Sequence, residues 1–428
     1  GNTCDEGPNS ILFTRTLIDL KRRYPDRVHL LMGDRDVGKM RLTSELQAAD
    51  GSMGTKAMGV SDGKDKTTAT PKEFMDFVKT MSTKDSKRSQ SEIAAMKRQH
   101  SMKVNRLRYM LAHTMGAEEA FRLRRLELGH LSGRPPREVS DEEVVLSFED
   151  SVDRGGFVRE YLELADLAVL IGGTLCVHGN IVGNTFRHSG GAHRVVGVVP
   201  SGDGQEFEPD VQEWLWRLNE WGKSEVADWI RQPVWAKPPK DFAEGSWSGR
   251  GGAGLIAYGS PASKLPSVLT ATYSRDSKPM KPLPPDLVLD LTAQGVRRVL
   301  HGHVPAGSGP SVAQLGGLTV VNANTCESSR GADLAFKGDN RGLAAYEVAV
   351  TGDEVRIRGV GLDGCPVGDA GDSGEEDEGA EEEEGLRRAS GESRRGSSLL
   401  EEWAAAAEEP EEVPSMAGEL SASDAPAA

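Results

Sequence analysis

Four short segments of this 428-residue chain combine glycine with side chains that can ligate metals. They are Gly1-Asn2-Thr3-Cys4-Asp5-Glu6-Gly7, Gly33-Asp34-Arg35-Asp36, His178-Gly179-Asn180 and His301-Gly302-His303. The last three follow apolar runs that read as strands, and ligand sites of α/β folds collect at strand ends. Carboxylate, amide and imidazole groups together suit Mn, Fe, Zn or a similar divalent ion. Taken singly, none is specific. A His-Gly pair more often marks a turn with a capping histidine, and Asp36 reads equally as a turn or cap aspartate.

Their order is more informative than any one of them. G-[D/N]-x-x-D-x-G, then G-N-x-D, x-H-G and G-H-x-P in sequence resembles the calcineurin-like metallophosphoesterase superfamily. Gly33-Asp34-Arg35-Asp36 followed by Lys39 and Arg41 is similar to a protist and algal branch that has arginine in place of the usual catalytic histidine. His113-Thr114-Met115-Gly116, the stretch Phe121 to Leu128, and Gly302-His303-Val304-Pro305 belong to the same likeness. It covers most of residues 1–360 and implies an α/β fold of the αββα sandwich type with a two-metal site for phosphoester hydrolysis.

Carried onto this chain, the resemblance implies a second metal held by Asn2, Asp34, His178 and His303. In the family the Asn2 position is a bridging aspartate and the Asp34 position an asparagine; here the two are exchanged. One carboxylate and one amide remain, but a neutral amide bridges two cations poorly. The family's D-x-H motif is expected upstream of Gly1, so the chain reads as N-terminally truncated. Arg35 aligns with the catalytic histidine, yet a guanidinium stays protonated and suits a phosphate clamp better than a general acid. Asp36 would orient its neighbours. Lys39 and Arg41 would help bind an anionic substrate, Asp5 would fix the first loop, and Arg341 would add positive charge. His301 would point away from the face that His303 uses in an extended segment. Asn324 stands where related sequences tend to have aspartate. The expected activity is a metal-dependent phosphoesterase, impaired by Asn2, with one or two divalent ions. The alternative is an inactive pseudophosphatase that binds a phosphorylated small molecule or phosphoprotein.

The elements that must position these groups follow from periodicity. Ile11 to Arg23 reads as a helix with Leu12, Thr16, Leu17 and Leu20 on one face. Arg27 to Met32 and Ala168 to His178 read as buried strands. Gly51 to Thr70 has no period, whereas Pro71 to Met81 and Ser91 to Leu128 are helical in composition. This gives an insertion at about 49–105 and a basic helical layer running through Arg108, Arg122, Arg124 and Arg125. Pro209 to Trp229 is a helix with Trp214, Leu215, Leu218 and Trp221 at core spacing. Val268 to Tyr273, Val296 to Leu300, Leu318 to Val321, Ala344 to Val350 and Val355 to Val360 read as short strands.

Composition sets the outer limits. Acidic residues number 66 against 51 basic, a formal charge of −15. Residues 361–428 hold 20 acidic and 4 basic residues, leaving 46 against 47 in residues 1–360. The acidity therefore belongs to a Glu-, Gly- and Ser-rich tail over 361–428 that is expected to be disordered. Residues 1–360 form the expected catalytic domain. Ser390 and Ser397 follow arginine pairs, a pattern that basophilic kinases read. Nucleic acid is a poor partner because the basic stretch lacks stacking aromatics beyond Tyr109 and Phe121. No run reaches the roughly 18 apolar residues of a membrane span, and four scattered cysteines fit a reducing, by default cytoplasmic, compartment.

Overall fold

A computed structural model describes residues 1–5, 7, 9–46, 102–183, 196–201, 204–236, 249–261, 265–272, 283–304, 310–324, 344–361 and 366–367. The segment 51–70, most of the expected insertion, the helix over 71–81, Arg341, Ser390, Ser397 and nearly all of the tail lie outside these residues. The chain is a mixed α/β protein. Its central sheet runs β1-β2-β5-β7-β6, with β1 Ala168–Ile171, β2 Thr174–Val177, β5 Arg298–His301, β6 Ser311–Leu315 and β7 Leu318–Asn322. The inner pairs β2·β5 and β5·β7 are parallel and the edge pairs antiparallel. A hairpin of β3 Gly197–Ser201 and β4 Gly204–Glu208 stands apart, as does a sheet of β8 Ala344–Thr351, β9 Glu354–Gly361 and β10 Pro366–Val367.

The single strand expected over Ala168 to His178 is a hairpin instead. Gly172 and Gly173 adopt φ of 54° and 77°, which only glycine reaches cheaply, so the run folds back as β1 and β2. β2 lies inside the sheet and β1 forms its edge. Arg27 to Met32 is extended but shares a single parallel bridge, Leu31 with Asp166. The expected strand Val268 to Tyr273 is a turn over the residues described, 268–272, with Val268 O accepting the Gly179 N–H.

Helices cover the sheet. The first, α1 Ser10–Arg23, buries Ser10, Ile11, Thr14 and Ile18 rather than the face of Leu12, which is 58% exposed. The Glu127 carboxylate accepts the N–H groups of Ile11 and Leu12 and pins that side of the first turn inward. Next comes the short α2 Asp34–Gly38, which continues through a 3-10 turn, Lys39–Arg41, into a π-helical turn, Leu42–Leu46. The layer α3 Met102–Tyr109, α4 Ala120–Ser132, α5 Asp141–Val152 and α6 Phe157–Leu164 follows. Its arginines are mostly engaged within the protein. Arg124 is buried over the rings of Phe148 and Phe157, and Arg108 and Arg125 both bind Asp141.

The long helix α7 Val211–Arg231 is stitched to β1 by one side chain. Asn219 Oδ1 accepts the N–H groups of Leu167 and Ala168, and its Nδ2 donates to Ala168 O. Close approach is also required at Gly222, where a Cβ would stand 2.7 Å from Leu167. Two later helices, α8 Ala253–Tyr258 and α9 Pro285–Ala293, complete the described set, in which no helix is long and apolar enough to cross a membrane. Asn219→Ala strands two donors and one acceptor and should lower stability by about 1–3 kcal/mol in urea unfolding. An unchanged midpoint would show that the Asn219 contacts contribute nothing.

Candidate metal centre

Three chain segments end at one place. Residues 30–34 run beside Asp166, with the Asp166 N–H donating to Leu30 O and the Met32 N–H to Asp166 O. They deliver Asp34 at the start of α2. Parallel strands β2 and β5 deliver His178 and His303 from the same end of the sheet. His178 Nε2 lies 3.0 Å and His303 Nδ1 3.3 Å from the same Asp34 oxygen, Oδ1. The rings meet edge to face with centroids 5.4 Å apart. The donor atoms of the three residues all lie within 4.8 Å of one another, the one such cluster of potential ligands among the described residues.

Backbone geometry builds this convergence. His303 holds φ of 64°, unusual for a residue with a Cβ. The Gly302 N–H donates to His178 O, locking the two histidine loops together. Asn322, fully buried at the end of β7, donates from Nδ2 to Val304 O and accepts the Asn324 N–H. Gly179 is forced to be glycine, since a Cβ there would sit 2.7 Å from Val268 O and 2.8 Å from Ala271 O. Its N–H donates to Val268 O, which explains the inward-facing turn at 268–272. Neither Asn322 nor the 268–272 turn was among the expected site residues. The Asn322-Ala323-Asn324 sequence directly after an apolar strand was the available signal.

The first segment docks from the other side. Gly1 and Gly33 cross in contact, and a Cβ on Gly33 would stand 2.2 Å from Asn2 Oδ1. Asn2 also has positive φ, 62°. Its Oδ1 accepts the Arg35 N–H and its Nδ2 donates to Asp34 Oδ1. The backbone donor fixes the amide orientation, so in this arrangement Asn2 aims Asp34 rather than joining the donor set. Asp36 is buried, and its carboxylate accepts the N–H groups of Asn2, Thr3 and Gly33 at 2.7, 3.1 and 2.9 Å. That is an organising role for the first loop.

Arg35 is half-buried and its guanidinium lies near Gly116, which takes φ of 63° in the His113 to Gly116 motif. The two basic residues expected to bind substrate are both ion-paired. Lys39 is fully buried in an ion pair with Asp5 at 2.7 Å and donates to Arg35 O. Arg41 forms a two-pronged pair with Glu45 at 2.7 and 2.8 Å. Arg41 is matched by a residue four positions on, as spacing allows, whereas Lys39 is matched by an acid 34 positions away that spacing does not reveal.

Electrostatics at the triad has a clear sign. Burial opposes ionisation of Asp34, but the hydrogen bonds and charges of His178 and His303 prevail and hold its carboxyl well below the usual carboxylate range. Burial pushes the His178 imidazole below its ordinary value, against the opposing pull of Asp34. His303 Nδ1 is buried without a properly directed hydrogen bond. An anionic oxygen facing two imidazole nitrogens fits a divalent cation, whose ~2.1 Å bonds separate tetrahedral donors by roughly 3.4 Å.

No family model, curated protein or solved structure matches the chain.

The buried pair makes a stability prediction. Lys39→Met leaves Asp5 uncompensated and should cost about 3–5 kcal/mol in denaturant unfolding, partly recovered by adding Asp5→Asn. A loss below about 1 kcal/mol would return Lys39 to the class of surface charges. A second prediction concerns acid. Burial pushes the His301 imidazole down to about 4 from 6.5. The unfolded chain therefore takes up this proton first, so stability is unaffected above pH 6.5 and falls as pH drops from 6.5 towards 4. The loss at this site totals about 3 kcal/mol at most. His301→Gln should flatten the stability profile in that window; a profile parallel to that of the parent would refute the assignment.

Proposed function

We propose that the domain is a metal-dependent phosphoester hydrolase of the calcineurin-like metallophosphoesterase type, acting on a phosphorylated small molecule or phosphoprotein. The observation that carries this reading is the convergence of Asp34, His178 and His303, from three separate segments, on a volume the size of one cation. The motif order discussed above supplies the chemical class, and a mixed α/β chain with a largely parallel central sheet is compatible with it. A divalent ion of the Mn, Fe or Zn kind, when bound, supplies Lewis-acid polarisation of a phosphoryl oxygen and acidifies a water.

The chain's own groups do the rest. Asp34 stays ionised and His178 stays neutral near pH 7, the protonation states that ligands need. Asn2 holds the Asp34 carboxylate in place through Nδ2. Arg35, next to Asp34, offers a planar fork for phosphate and keeps its charge throughout. Asp36 secures the loop on which Asn2 sits.

A second reading is favoured by one feature. Asn2 presents N–H rather than carboxylate oxygen to Asp34, and the described residues contain donors for one ion only. Under that reading the site binds a phosphorylated ligand without turnover. Metal analysis and p-nitrophenyl phosphate hydrolysis with added manganese, both on the full chain, separate the outcomes. Hydrolysis lost in His178→Ala and His303→Ala, with about one ion bound per parent chain, is the expected result. Bound metal without hydrolysis selects the second reading. Metal retained by the double variant, or none bound by the parent, overturns both.

A further inference from the structure

Helix α1 has two apolar faces, and the fold buries one of them. Ser10, Ile11, Thr14 and Ile18 point into the core. On the other side Leu12 and Phe13 are 58% and 54% exposed, and Leu20, two turns on, is partly buried. With Leu17 between them, these side chains form a second stripe along a helix of 3.6-residue period. Tyr24, 47% exposed, continues it past the last turn.

The rim of that stripe is basic. Residues 10–27 carry Arg15, Lys21, Arg22, Arg23 and Arg27 against Asp19 and Asp26. Arg15 and Arg23 are exposed and pair with no acid among the described residues. Arg22 reaches Glu160 at 3.3 Å, yet its side chain is 54% exposed. An apolar stripe edged by cations fits an acidic amphipathic helix, and it disfavours a second copy of α1, which would bring like charges together.

The chain holds such a segment. In residues 399–409, helical spacing puts Leu399, Leu400, Trp403, Ala406 and Ala407 on one face and Glu401, Glu402, Glu408 and Glu409 away from it. Ser398 and Glu401 have the spacing of a capping box at its start, and Pro410 ends it. No lysine or arginine occurs from Leu399 to Ala428. The segment lies outside the described residues and is joined to β10 by the 31 residues 368–398. Extended, such a connection reaches about 100 Å, against roughly 50 Å across a domain of this size. It therefore spans the distance to α1 from any side.

We propose that residues 399–409 dock as a helix on the exposed face of α1, with Trp403 against Phe13 and Leu20 and the glutamates against Arg15 and Arg23. Tethering supplies an effective concentration on the order of 1 mM, so a contact as weak as about 0.1 mM keeps roughly nine tails in ten docked. The docking does not depend on the hydrolase reading.

Amide hydrogen exchange of the full chain reads this contact directly. Residues 399–409 of the parent should exchange about tenfold more slowly than in Leu12→Ser/Phe13→Ser, independently of protein concentration. Both substituted side chains are exposed, so an unchanged unfolding midpoint separates lost docking from misfolding. Arg15→Glu/Arg23→Glu should release the segment, and adding Glu402→Arg/Glu409→Arg should restore its protection. Exchange of the parent segment as fast as in the Leu12→Ser/Phe13→Ser variant would overturn the proposal, as would failure of the charge exchange to rescue. Protection that grows with protein concentration would assign the face to a second copy instead. Binding of anionic phospholipid vesicles through Leu12 and Phe13, with residues 399–409 left unprotected, would assign it to a lipid surface and equally refute tail docking.

Discussion

Everything at the centre depends on one desolvated carboxylate. Asp34 is shielded from water, which by itself favours the protonated acid, and it remains ionised because two imidazoles and one amide point at it. An ionised group in a low-dielectric setting has to be surrounded by donors or cations. That requirement explains the departures from ordinary backbone geometry nearby. Asn2 and His303 are the non-glycine residues with positive φ among those described, and both face Asp34. Strain of this kind costs of order 1–3 kcal/mol per residue and persists where surrounding structure over-determines it. The Asp36 carboxylate on one side and the Gly302 to His178 hydrogen bond on the other provide that determination.

Much of this was readable before any coordinates. The glycine-flanked ligand residues after apolar runs pointed to strand ends, and Asp34, His178 and His303 do lie together there. Helices over 10–23 and 211–231, and strands at 298–301, 318–322, 344–351 and 354–361, follow the periodic signal closely. What failed did so for identifiable reasons. An apolar run of eleven residues reads as one strand unless the Gly172-Gly173 pair is taken as a primed turn, because both arms of a buried hairpin are equally apolar. The 268–272 segment has strand composition, yet Val268 O serves the Gly179 N–H, and no propensity encodes that demand.

Charge was the hardest property to place. Lys39, Arg41 and Arg124 look alike in the sequence, where most such residues face solvent. The fold buries Lys39 against Asp5 and Arg124 against aromatic rings, and it closes Arg41 onto Glu45. Each of these choices depends on a partner that is distant in the chain or selected by helix register. A basic residue expected to contact substrate therefore becomes a strut, and the electropositive candidate that remains beside Asp34 is Arg35.

The same helical run links the two charged regions. It begins at Asp34, passes Lys39 and Arg41, and ends in the π-helical turn that carries Glu45. At about 1.5 Å per residue the Asp34 and Glu45 positions stand on the order of 15 Å apart along its axis. A π turn widens the helix and shifts side-chain register, and such turns recur where a side chain must be presented against the regular pattern. Here the turn buries Thr43, Ser44 and Glu45 together, with Thr43 and Ser44 donating to Pro233 O. The irregularity therefore fixes where Glu45 meets Arg41, and Met40 and Leu42, both buried, anchor the run between Asp34 and Glu45 in the core.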